Sequence, residues 1–145
     1  MNILFKKKSY KIKLRNFEPK TASSDAVDRK RKLKDGIENS TKNLDEIRDF
    51  CKNKKLSITV RFYLYDGSED ETPQPEGRTK KDLDNLLKIV LDVLPEKMDT
   101  DDRNDGLGLI KRDYDNLVYE IHSTKKIVFH LDEEGIDIEI FEWKN

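Results

Sequence analysis

Residues 80–92 read KKDLDNLLKIVLD, which plants two acids and a lysine at the start of an otherwise apolar helical pattern. Carboxylate oxygens suit a hard divalent cation, and a lysine beside them suits a phosphate. On an ideal helix, residues two apart point about 200° from each other, so Asp82 and Asp84 could not face one ion there. On an extended segment they share a side. If the helix begins near Asp84, both carboxylates converge and Lys88 stands one turn above Asp84. The competing reading is structural: one acid caps the helix, and Lys88 forms an exposed i,i+4 pair with Asp84. A second acidic pair, Asp113 and Asp115, opens the stretch DYDNLVYE at the mouth of a strand.

The elements that must position these residues follow from periodicity. Residues 9–17 alternate Tyr10, Ile12 and Leu14 with lysines, the pattern of a half-buried strand. Residues 24–53 have helical composition, with Ser24 and Asp25 as cap candidates and Gly36 and Asn39–Thr41 as candidate breaks. Residues 55–65, KLSITVRFYLY, are rich in β-branched and aromatic side chains and predict a strand. Leu83, Leu86, Leu87, Val90, Leu91 and Leu94 predict one apolar helix face, stopped by Pro95. Residues 117–123 and 126–131 read as strand, 132–135 as a hairpin turn, and 136–143 as the closing strand. The expected fold is therefore α+β in the order β-α-β-α-β-β: a mixed sheet of about four strands with two main helices packed on it. The acidic stretches 66–77 and 98–108 are expected to be mobile loops.

Bulk properties narrow the function. At 145 residues the expectation is one domain, 1–145. No apolar run approaches the roughly 18 residues of a membrane span, and a single cysteine, Cys51, favours a reducing, cytoplasmic setting and a packing role. The net charge of −1 hides an asymmetry. Residues 1–34 hold twelve Lys/Arg against three Asp/Glu, about +9, and the remainder seventeen against twenty-seven, about −10. A basic arm beside an acidic body suits one surface for phosphates and another for metal, although such runs are also ordinary solvated faces. An EF-hand frame from Asp101 puts Arg103 and Arg112 where oxygen ligands belong, and His122 and His130 lack zinc-ligand spacing.

RTKKDLDNLLKIVLDVL followed by DYDNLVYEIHSTK resembles the RusA-type Holliday junction resolvases. In that family a basic run enters D-x-D-N, a lysine lies four residues past the second Asp, and a later acid pair opens a strand with a lysine ten residues beyond. Arg78, Lys80 and Lys81 supply the basic run; Asp82, Asp84 and Asn85 the D-x-D-N; Lys88 the first lysine. Asp115 fits the second acid of the later pair, with Lys125 ten residues on. This chain departs at Tyr114, where the family carries an acid; Asp113 stands one position away.

The resemblance implies a RusA-like fold and a structure-selective DNA endonuclease of recombination and repair, acting as a homodimer on four-way junctions. It implies Mg²⁺, for which Mn²⁺ substitutes, and no organic cofactor. Asp82, Asp84 and Asp115, with Asp113, would be the metal ligands, and Lys88 the catalytic cation. Lys11, Lys13, Arg15, Arg29, Lys30, Arg31, Lys32, Arg78, Lys80, Lys81 and Lys125 would contact DNA phosphates. The alternatives are a non-catalytic binding module that keeps the fold, and a nuclease acting on other branched DNA or on RNA.

Overall fold

The computed structural model describes residues 8–22, 26–66, 80–97, 105–110 and 116–145. Within them the chain forms β1 (Ser9–Arg15), α1 (Ala26–Ser40), α2 (Leu44–Cys51), β2 (Leu56–Tyr65), α3 (Leu83–Val93), β3 (Val118–Val128) and β4 (Gly135–Glu142). The sheet order is β1-β4-β2-β3. β4 is antiparallel to β1 and to β2, and β3 is parallel to β2. The α+β mixed sheet agrees with the sequence expectation, with three helices instead of two main ones.

The alternation in β2 explains its central place. Leu56, Ile58, Val60, Phe62 and Leu64 are fully buried on one face, while Thr59, Arg61, Tyr63 and Tyr65 are half-buried on the other. Ile12 and Leu14 of β1 and Ile136, Ile138 and Ile140 of β4 extend the same apolar layer. Leu33 and Ile37 of α1, Ile47 and Cys51 of α2, and Leu86, Ile89, Val90 and Val93 of α3 close over it. Burying the Phe62 ring alone contributes about 2–3 kcal/mol.

Several expectations are corrected. Of the two candidate breaks in the helical stretch 24–53, the one ending at Thr41 is used, with the chain leaving helix at 41–43 between α1 and α2, and Gly36 is not. Gly36 stays helical and packs beside Leu14 and Phe17. The buried face of α3 is Leu86, Ile89, Val90 and Val93, with Leu83, Leu87 and Leu91 on its flank. The two strand pieces expected over 117–131 are one continuous strand, β3. No hairpin joins β3 to β4, because β2 lies between them. A short 3-10 turn, Leu131–Glu133, carries the chain across instead. The reason is burial: β4 reads as buried along most of its length, so it needs a neighbour on each edge. At Gly135 an added Cβ would fall 1.8 Å from the Leu14 carbonyl oxygen, so only glycine admits that approach.

Of the acidic stretch 98–108 expected as a mobile loop, residues 98–104 lie outside the described residues and 105–108 pack onto the end of α3. Leu107 is buried and its amide donates to the Val93 carbonyl at 2.8 Å, while Gly106 N–H donates to Glu96. Most of the other acidic stretch, 66–77, and the cap candidates Ser24 and Asp25 lie outside the described residues.

Candidate active site at the start of the third helix

The turn into α3 is where extended chain becomes helix. Asp82 holds φ −66° and ψ 129°, and the Leu86 amide makes the first helical bond back to the Asp82 carbonyl at 3.0 Å. Leu83, half-buried, and Leu86, fully buried, fix the rotation of that first turn against the core. The consequence is that Asp82 and Asp84 both project to solvent. Asp82 occupies the cap position, yet its side chain makes no capping hydrogen bond. Its Oδ2 accepts a long hydrogen bond from the Asn85 side-chain amide, at 3.5 Å. Asp84 and Lys88, both exposed, form no ion pair among the described residues, so the i,i+4 pair available to them is not made. Neither structural role that the sequence allowed for these three side chains is the one observed.

The backbone beneath them is held firmly. Lys81 is largely buried, and its ammonium donates to Glu18 Oε2 at 2.8 Å and to the Pro19 carbonyl at 2.6 Å. Lys125, exposed and opposite Phe62 in the β2–β3 register, donates to the Lys81 carbonyl at 2.9 Å. The Ala22 amide donates to the Asn85 carbonyl at 3.3 Å. Thus the segment after β1 and the middle of β3 clamp the peptide units on either side of Asp82. For Glu18, burial pushes the carboxyl pKa up, but hydrogen bonds from Lys81 and Lys20 outweigh it and hold the value below the usual range. Glu18 and Pro19 escaped sequence reasoning, since no pattern links them to a lysine more than sixty residues away.

The basic residues divide by environment. Lys11 and Lys13 alternate with buried Ile12 and Leu14, so they project from the sheet face away from the helices. Arg31 and Lys32 are exposed on α1, on the helix side, with Lys32 paired to Asp28 at 3.2 Å. Lys80 is exposed beside the α3 turn. Arg15 is committed internally: it pairs with buried Asp137 at 2.9 Å and lies over the Tyr63 ring. Lys30 joins α1 to α3 through Asp92 at 3.0 Å, and Arg29 donates to the Thr21 carbonyl. Cys51 is buried, and burial pushes its thiol up to about 11, which keeps it an inert packing residue at neutral pH.

Asp113, Asp115 and Arg78 lie outside the described residues. Among the described residues no group of three or more His, Cys, Asp or Glu side chains stands together as a metal cluster. The carbonyl of Leu117, which follows them, accepts from the Leu56 amide at the start of the β2–β3 ladder. Eight extended residues separate Leu117 from Lys125, roughly 26 Å. The crossover from β2 through α3 to β3 therefore begins α3 at one end of the sheet and β3 at the other.

Comparison with known families agrees with this arrangement. The profile of the family Endodeoxyribonuclease RusA matches residues 16–105. The chain belongs to that family. The match takes in the clamp residues Glu18 and Lys81 and the whole of α3, and it ends before Asp115 and β3. A curated relative from Aquifex aeolicus (strain VF5), "Crossover junction endodeoxyribonuclease RusA", is 37% identical over 76 residues, which is 52% of this chain. The chain spans about half the length of that relative, 49%.

Proposed function

We propose that this chain is a Mg²⁺-dependent endodeoxyribonuclease that resolves four-way DNA junctions by symmetric phosphodiester hydrolysis, in recombination and repair. The observation that carries the reading is the state of Asp82, Asp84 and Lys88: three exposed charged side chains with no ion pair among the described residues, on a turn whose backbone is clamped from two sides. Family membership and the name of the Aquifex relative support it.

The donor set fits the ion in kind. Mg²⁺ is ordinarily bound through one or two carboxylates plus waters and substrate phosphates, and Asp82 and Asp84 offer two exposed carboxylates. Asp115 is the proposed third ligand, with Asp113 beside it. When bound, the ion supplies a water of lowered pKa and a Lewis acid for the phosphoryl oxygen. The chain's own residues do the rest. Two carboxylates repel a phosphate, so the backbone enters only where a cation offsets them; this ties DNA binding at the turn to metal. Lys88, one turn above Asp84, places positive charge where the pentacoordinate phosphate gathers negative charge. Lys125 and Lys81 fix the peptide before Asp82 and so hold the carboxylate geometry. Lys11, Lys13, Arg31, Lys32 and Lys80 are the exposed candidates for sequence-independent phosphate contacts.

A four-way junction has approximate two-fold symmetry, so paired symmetric cuts call for a C2 homodimer with two sites. Among the described residues no helix is long and apolar enough to cross a membrane, and cytoplasmic action is part of the proposal. The test is cleavage of a mobile four-way junction against linear duplex, with and without Mg²⁺, by wild type and Asp82→Asn. Mg²⁺-dependent junction cutting is expected from wild type only, with junction binding by Asp82→Asn intact or tighter. Binding without any metal-dependent cutting by wild type would overturn the enzyme reading in favour of a binding module.

A further inference from the structure

The α3 turn occupies one end of the sheet; at the other end β1, β2 and β3 start and β4 finishes. The two aromatic ring pairs among the described residues both lie at that second end. They are Tyr10 with Phe50 and Tyr119 with Trp143, each with ring centroids 4.9 Å apart. Lysines accompany both. Lys54 stands over the Phe50 ring at 4.7 Å, Lys55 over Tyr119 at 5.1 Å and Lys8 over Tyr10 at 5.5 Å.

The two pairs differ in burial. Tyr10 and Phe50 pack against the core. Tyr119 does not: Leu56 faces Val118 and Ser57 faces Glu120, so Tyr119 is the extra residue of a β-bulge. A bulge re-aims its side chain, and the Tyr119 ring is left 50% exposed, tilted 38° against half-buried Trp143. Trp143 is tied to the start of β2, its amide donating to the Lys55 carbonyl at 2.8 Å. Charge at this end favours an anion. Asp49 pairs with Lys52 and Glu142 with Lys144, while Glu46 and Glu120 accept the hydroxyls of Tyr10 and Ser57. Lys8, Lys54 and Lys55 make no ion pair among the described residues, and Lys54 donates to the Phe50 carbonyl. An open aromatic face beside unpaired ammonium groups suits a nucleobase and its phosphates. Bases inside a duplex are stacked on one another and offer no free face, so the partner is unpaired. An ammonium over an exposed ring is the weaker contact, so a base displaces Lys55 from Tyr119 and frees it for phosphate.

We propose that Tyr119 and Trp143, with Lys55, form a second DNA contact of this chain: a stacking platform for an unpaired single-stranded segment beside the branch. Lys8 and Lys54 extend its basic flank. This rests on the DNA-substrate reading given above and adds to it the class of branched DNA, one that carries unpaired nucleotides. Tyr119 precedes Lys125 by six residues of β3, roughly 20 Å, so the platform meets DNA about six base-pair steps from the α3 turn.

Trp143 is the chain's single tryptophan, so its emission reports on the platform. Titration of the full chain with a labelled single-stranded oligonucleotide, without Mg²⁺, is expected to quench that emission over the range in which the label's anisotropy saturates. Tyr119→Ala should weaken single-strand affinity at least about fivefold, and Tyr119→Phe should hold it within about twofold. Lys55→Ala, at an exposed position, should lower the slope of log affinity against log salt by about 0.7. Emission untouched by the single strand, affinity unmoved by Tyr119→Ala, or a salt slope unmoved by Lys55→Ala would each overturn the proposal. Emission that shifts on dilution of the chain alone would give this end of the sheet to a second copy and overturn it too. Junction cleavage in Mg²⁺ by wild type separates the two readings. Cutting without the quench keeps the nuclease and removes the platform; the quench without cutting keeps the platform and removes the nuclease.

Discussion

Lys88→Ala separates chemistry from stability more cleanly than any other single change. The side chain is exposed and makes no ion pair among the described residues, so its removal forfeits no charge pairing there. Alanine is the better helix former by a few tenths of a kcal/mol. Had Lys88 paired with Asp84, the loss would have been about 0.3–0.5 kcal/mol. The melting temperature should therefore stay within about 1 °C, since 1 kcal/mol moves a protein of this size by roughly 2–4 °C. As a charge that meets its partner only when phosphate is attacked, the same lysine is worth about 2.7–4 kcal/mol, or a hundredfold or more in rate. Single-turnover cleavage of a saturating junction substrate reads that rate without contributions from binding or product release. Lys88→Arg should rescue poorly, because a planar fork does not fill the space of a compact ammonium. Cutting by Lys88→Ala within about threefold of wild type would make the lysine a surface residue and remove the catalytic role from this helix.

Other perturbations probe the clamp, the sheet and the third ligand. Glu18→Gln should destabilise the protein at neutral pH, and the difference from wild type should shrink in acid. The folded-state pKa of Glu18 is depressed, so its contribution is present above the usual glutamate range and is lost as pH falls through and below it; melting curves at several pH values measure this. Gly135→Ala should cost about 1–3 kcal/mol or more, because its Cβ meets the Leu14 carbonyl between edge strand β1 and β4; a thermal melt matching wild type would contradict the β1–β4 approach. Asp115→Asn should abolish Mg²⁺-dependent junction cleavage, as Asp82→Asn does, and leave junction binding intact, because the proposed third carboxylate ligand is lost. Cleavage by Asp115→Asn within about threefold of wild type would remove it from the ligand set.

What the sequence settled was local. The period of 83–94 and the stop at Pro95 placed α3 within a residue of where it lies, and with it the passage from extended chain to helix at Asp82 and Asp84. The β-branched run of 55–65 gave β2 almost to the residue. These are properties of neighbouring residues on one element, so spacing is enough to read them. The tertiary structure alone decided that β4 sits between β1 and β2, which removed the hairpin expected at 132–135. It alone decided that Lys81, read as a phosphate contact, is buried against Glu18 and Pro19, and that Arg15 is spent on Asp137. The same holds for the empty hands of Asp84 and Lys88, a pairing that sequence spacing permits and the folded chain does not make. The Lys81 and Arg15 contacts join partners about 60 to about 120 residues apart, and the choice among such partners is made by burial, which no local pattern encodes.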